Sequence, residues 1–113
     1  MKRPLQVRFR RLDPTPALEG HIRALADRLD ECYDRILGCR VTVEAPHQPD
    51  IRYGSLYRVR IRMTVPEGDL ESGDDPVRHR GHHDPFVAVR EAFRGARRQL
   101  EQVARFEETI GRR

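Results

Sequence analysis

Residues Leu56 to Val65 read Leu-Tyr-Arg-Val-Arg-Ile-Arg-Met-Thr-Val, an alternation of apolar residues and arginine with a period of two. Successive side chains of a β-strand point to opposite faces, so this period leaves little choice of structure. Tyr57, Val59, Ile61, Met63 and Val65 line one face and require a core, while Arg58, Arg60 and Arg62 line the other. The second face is a cationic comb with a tooth every ~7 Å, two residues of strand rise. A comb of that kind suits a polyanion, and nucleic acid is the first polyanion to consider for a small basic chain.

The rest of the chain supplies what such a strand packs against. Leu5, Val7 and Phe9 alternate with Gln6, Arg8 and Arg10 and predict a first strand with the same basic outer face. Thr15 is placed to cap a helix and Pro16 to occupy its first position, where a missing N–H costs nothing. Leu18, Ile22, Leu25, Leu29, Cys32 or Tyr33, and Ile36 then recur at helical spacing, predicting a helix from Pro16 to Leu37 stopped by Gly38. Strand two is expected over Arg40–Glu44, with Val41 and Val43 inward, followed by a loop over 45–55. After the comb, Pro66-Glu67-Gly68-Asp69 makes a turn and a weaker fourth strand begins near Leu70.

Asp84-Pro85 repeats the cap-and-proline entry into a second helix striped by Phe86, Val89, Phe93, Ala96, Leu100, Val103 and Phe106. Gly95 in its middle costs about 1 kcal/mol against alanine, for which close packing on the sheet is one reason. A mobile loop over 71–83 and a frayed tail over 107–113 complete a single domain, 1–113. The fold class is α+β, in the order β-α-β-β-β-α, with two amphipathic helices on one face of a four-stranded mixed sheet. The opening β-α-β predicts a right-handed crossover with strands one and two parallel.

Charge then narrows the function. The net charge is +4, and only Lys2 of the 22 basic residues is lysine, a bias that a GC-rich genome also produces. Residues 1–11 carry five bases and no acid, and residues 51–62 carry four and no acid. Wet sheet faces ordinarily mix both signs, whereas this one reads as nearly all positive. Arginine's planar fork matches phosphate, and neutralising several phosphates gives strongly salt-dependent binding with little sequence choice. There is no tryptophan and few aromatic residues for base stacking, which favours folded RNA read by backbone and shape.

Other chemistries find less support. His79, His82, His83 and Asp84 could hold zinc or nickel, but Asp84 has a capping role and no second ligand cluster stands out. There is no P-loop, nucleophile elbow or dinucleotide fingerprint, so neither an enzyme nor a cofactor nor a small-molecule substrate is expected. Cys32 and Cys39 read as buried or idle thiols, and no apolar run suggests a signal peptide or a membrane span, which places the protein in the cytoplasm. The acidic run Glu67, Asp69, Glu71, Asp74 and Asp75 reads as a solvated turn.

Val7-Arg8-Phe9-Arg10, Thr15-Pro16-Ala17-Leu18, Arg28-Leu29 and Tyr33-Asp34-Arg35-Ile36 occur in that order, followed by Thr64-Val65-Pro66-Glu67-Gly68, His83-Asp84-Pro85-Phe86-Val87-Ala88-Val89 and Arg98-Gln99-Leu100. This ordered set resembles the ribosome hibernation promoting factor family, also called ribosome-associated inhibitor A or sigma-54 modulation protein. The resemblance implies a bacterial protein that binds the small (30S) ribosomal subunit in stationary phase or stress. Such a protein would sit over the mRNA and tRNA sites of the decoding region as a stoichiometric blocker. It implies contacts to the 16S rRNA backbone from bases at Arg10, Arg28, Arg35 and Arg98, with Arg90, Arg94, Arg97 and Arg105 adding charge on the second helix. Arg8, Arg58, Arg60 and Arg62 would then form a secondary basic face. Leu25, Glu31 and Gly95 stand where the family often has a base, and the expectation is a short form without the C-terminal domain that pairs two ribosomes. The alternatives are a protein-interaction module modulating a sigma factor and a metal-binding regulator.

Overall fold

The computed structural model describes residues 1–45, 57–73 and 84–111, the side chains of the last segment through Phe106. Its elements are β1 (Gln6–Arg10), α1 (Pro16–Cys32), β2 (Gly38–Glu44), β3 (Arg58–Val65), β4 (Gly68–Ser72) and α2 (Pro85–Gly111). The sheet order is β1-β2-β3-β4. β1 runs parallel to β2, and the other two pairings are antiparallel. The α+β class, the element order and the parallel first pair are those the sequence predicts.

Helix α1 starts as its residues dictate. The Thr15 hydroxyl accepts the Leu18 N–H at 3.2 Å and Pro16 fills the first helical position. The end differs. The helix stops at Cys32 rather than Leu37, because Tyr33 is extended, with its N–H still bonded to the Leu29 carbonyl at 3.1 Å. The turn at 33–37 lets both Tyr33 and Ile36 enter the core before the chain joins the sheet. Gly38 is the first residue of β2 and not a helix stop. Ala26 is the buried residue in the middle of the α1 stripe, while Leu25 is half-buried at its edge.

The comb behaves as its period requires. Val59, Ile61, Met63 and Val65 are buried, and Arg58, Arg60 and Arg62 are exposed. Val41, Val43 and Cys39 join them from β2, while Leu18, Ile22, Leu29, Val89, Phe93 and Leu100 join from the helices, so one apolar layer separates the helices from the sheet. Burying a side chain of this size contributes about 1.5–3 kcal/mol, which is how a lean composition still holds a fold.

Strand β4 is longer than expected, and Glu71 and Ser72 belong to it rather than to a loop. The buried Ser72 hydroxyl donates to the Ala92 carbonyl of α2 at 2.9 Å. Gly95 lies over the same hydroxyl, which confirms close packing as the reason for a mid-helix glycine. Asp84 caps α2, its carboxylate accepting the Phe86 N–H at 2.9 Å and its carbonyl the Ala88 N–H at 3.0 Å. Phe86 and Phe106, expected in the stripe, are 38% and 61% exposed; Phe86 rests against the His21 ring instead. The backbone of 107–111, expected to fray, is helical up to Gly111. The expected loops over 45–55 and 73–83 lie almost wholly outside the described residues, as do Leu56 and residues 112–113.

Candidate nucleic-acid interface

The arginines divide into two faces separated by the core. Helical spacing places Arg90, Arg94 and Arg97 one turn apart along α2, on the side toward α1. Arg28 of α1 meets them across a groove lined by Leu25, Arg28, Leu29, Arg90, Phe93, Arg94 and Arg97. The groove has an apolar floor of two leucines and a phenylalanine beneath a rim of four guanidinium groups. Arg98 and Arg105 are exposed on α2 and by the same spacing point outward, away from the sheet.

Local ion pairs leave this rim available. Arg94 pairs with Glu91 at 3.2 Å and Arg97 with Glu101 at 3.3 Å, both within α2 and both largely exposed. Exposed pairs of this kind contribute about 0.3–0.5 kcal/mol, so a phosphate replaces them easily. Arg28, Arg90 and Arg98 make no ion pair among the described residues.

Two of the expected rRNA-contacting arginines lie away from this groove. Arg35 lies in the turn after α1, beside Met1, Lys2, Asp34 and Pro66. Arg10 belongs to the opposite side of the molecule, because Val7 and Phe9 of β1 turn to the core and Gln6, Arg8 and Arg10 turn to the open sheet face. A strand alternates faces, so Arg10 cannot share a surface with Arg28.

The open face is also less uniformly positive than the comb alone suggests. Strand register sets Gln6, Arg40, Arg62 and Glu71 in one row across the sheet, and Arg10, Glu44 and Arg58 in another. Between them, Arg8, Thr42 and Arg60 form a third row. Arg11 pairs with Glu44 at 2.5 Å and Arg62 with Asp69 at 3.0 Å. The Thr64 hydroxyl and the Arg62 guanidinium hold the Asp69 carboxyl below the usual carboxylate range. Glu44, Asp69 and Glu71 thus offset part of the charge on Arg8, Arg10, Arg40, Arg58, Arg60 and Arg62. Strand two's contribution, Arg40, was visible as an alternating residue, but its neighbours required the register.

A family model described as Sigma 54 modulation protein / S30EA ribosomal protein matches residues 5–106. The chain belongs to this family. Two solved structures share the S30EA member's fold. The N-terminal domain of Protein Y from Thermus thermophilus is 17% identical with a TM-score of 0.65, covering 87% of this chain and 94% of that one. A ribosomal subunit interface protein from Coxiella burnetii is 15% identical with a TM-score of 0.71, covering 88% of this chain and 96% of that one. No curated protein matches the sequence. At these identities the structures share the S30EA member's fold and do not transfer residue roles.

Among the described residues no group of three or more His, Cys, Asp or Glu side chains is placed to hold a metal. His79, His82 and His83 lie outside them. No helix among the described residues is long and apolar enough to cross a membrane. Both cysteines are free, Cys39 buried as expected and Cys32 exposed at the end of α1, where the neighbouring Tyr33 enters the core instead.

Proposed function

We propose that the chain is a stress and stationary-phase translation inhibitor that binds the small ribosomal subunit at its decoding region. There it would exclude mRNA and tRNA by occupancy, through arginine contacts to the 16S rRNA backbone in the cytoplasm. Membership of the S30EA family supports ribosome association. The observation that carries the reading is the groove between α1 and α2, where Arg28, Arg90, Arg94 and Arg97 rim an apolar floor. Four guanidinium groups converging from two helices match a folded RNA backbone read by shape, and each phosphate neutralised releases counterions.

No group in that groove is arranged for bond-making chemistry, so inhibition follows from occupancy and scales with the number of chains bound. Of the expected rRNA-contacting arginines, Arg28, Arg90, Arg94 and Arg97 rim the groove, while Arg98 and Arg105 lie outside it on α2, Arg35 in the turn after α1 and Arg10 on the open sheet face. The test is co-sedimentation with small subunits across a salt series, using the wild type and Arg28→Glu with Arg98→Glu. The wild type should co-sediment and dissociate steeply with salt, and the double variant should lose most binding. Salt-insensitive or absent co-sedimentation overturns the reading, as does a sigma-factor partner dominating nuclease-treated pull-downs with no rRNA recovered.

A further inference from the structure

The open sheet face carries a second feature that the helical groove does not use. Arg3, Pro4, Gln6, Gly38, Cys39, Arg40, Arg62, Thr64 and Asp69 line a polar pocket at one end of the sheet. Its geometry is built from backbone. The Arg3 N–H donates to the Leu37 carbonyl at 3.0 Å, anchoring the N-terminal segment beside the start of β2. The Arg3 guanidinium lies over Gly38, where an added Cβ would sit 3.2 Å from its Nε. Arg40 is oriented by its Nε donating to Gln6 Oε1 at 3.0 Å. Arg62 stands directly opposite Arg40 in the β2–β3 register and is steered by Asp69.

Like charges directly opposite on neighbouring strands are destabilising. Here two such guanidinium groups are joined by a third, against the β4 carboxylates of Asp69 and Glu71. Three arginines and one aspartate line the pocket, and with Glu71 beside Arg62 the formal charge around it is +1. A phosphate monoester carries about −1.5 to −2 at neutral pH and has three oxygens to accept from several forks at once. A carboxylate has two oxygens and one charge, and fits this arrangement less well.

We propose that Arg3, Arg40 and Arg62 form a phosphate-binding pocket on the open face of the sheet, separate from the helical groove. Arg3 and Arg40 donate to the phosphoryl oxygens, Arg62 shares its remaining N–H groups between phosphate and Asp69, and Gln6 holds Arg40 in place. The phosphoryl group is that of a free or terminal monoester; a backbone diester, with one charge and two free oxygens, fits no better than a carboxylate.

The experiment is a ¹H–¹⁵N titration of the full chain with inorganic phosphate, against chloride at equal ionic strength. Phosphate should shift the amides of Gly38, Cys39, Arg40 and Thr64 saturably, and chloride should not. Arg40→Gln and Arg3→Gln, both at exposed positions, should each weaken phosphate binding about tenfold or more, the worth of one charge-assisted hydrogen bond. Arg28→Glu with Arg98→Glu should leave it unchanged, which separates this site from the helical reading. A short RNA with a 5′-phosphate and the same RNA with a 5′-hydroxyl distinguish a terminal monoester from the backbone. Preference for the first supports the terminal monoester, and equal binding of the two overturns it. Shifts that do not saturate, that chloride reproduces, or that survive both substitutions overturn the proposal.

Discussion

Gly95 of α2 lies so close over Ser72 of β4 that a Cβ at position 95 would fall 2.5 Å from the serine Oγ. The serine cannot yield freely, because its hydroxyl is spent on the Ala92 carbonyl at 2.9 Å in a buried site. Helix propensity favours alanine over glycine by about 1 kcal/mol, and displacing a buried hydrogen bond costs about 1–3 kcal/mol. Gly95→Ala should therefore destabilise the protein by about 1 kcal/mol. In a Ser72→Ala background the same change should stabilise, since the serine Cβ is 3.8 Å away. Urea unfolding of the four proteins in this double-mutant cycle measures the reversal of sign.

Gly73 closes β4 with φ +92, in the left-handed region, and a Cβ there would collide with the Val59 carbonyl oxygen. The Val59 carbonyl on one side and the Ala92 methyl on the other leave no flexible side chain to move aside. Gly73→Ala should cost about 2–3 kcal/mol, visible as a lower denaturant midpoint with an unchanged slope.

The two basic faces should separate by charge reversal. Arg90→Glu with Arg94→Glu removes two rim charges of the helical groove, and the dependence of log binding on log salt should flatten by about two. Arg58→Glu with Arg60→Glu should weaken binding to small subunits less, because acidic neighbours already offset part of the charge on that face. Sedimentation at several salt concentrations compares the two pairs directly.

The cysteines should differ in reactivity. Burial pushes the Cys39 thiol up to about 11, while Cys32 is exposed. The thiolate is the reactive form, so a thiol reagent at mildly alkaline pH should label Cys32 in the folded protein and Cys39 only after unfolding. Because the folded-state value of Cys39 is raised from 9.0 to about 11, its contribution to stability is present below about 9 and is lost as pH rises toward 11. Denaturation followed by mass mapping of labelled peptides, at pH 8 and above, checks both statements.

The period-two and period-3.6 patterns made the elements legible, and the caps at Thr15 and Asp84 made the helix starts so. The end of α1 was not, because Ile36 continues the helical spacing even though it reaches the core from a turn. The length of β4 was hidden for a different reason. Beyond Leu70, its inward contact is the buried Ser72 against Gly95 of α2, and neither residue carries a hydrophobic signal. The candidate site was legible as a list of arginines but not as a surface. Helical spacing alone groups Arg90, Arg94 and Arg97, whereas opposing Arg28 to them requires the helix packing. The acids facing the comb appear only once the strands are in register.

The helical groove and the open sheet face stand back to back, with a dry slab of side chains between them. Low-dielectric material insulates poorly in the sense of charge, since it screens less than water, so the two positive surfaces feel one another through it. A partner presenting one flat anionic wall quiets only the nearer surface and leaves that mutual repulsion in place. A cleft with anionic walls on both sides relieves both at once, which makes the molecule electrostatically a wedge rather than a patch.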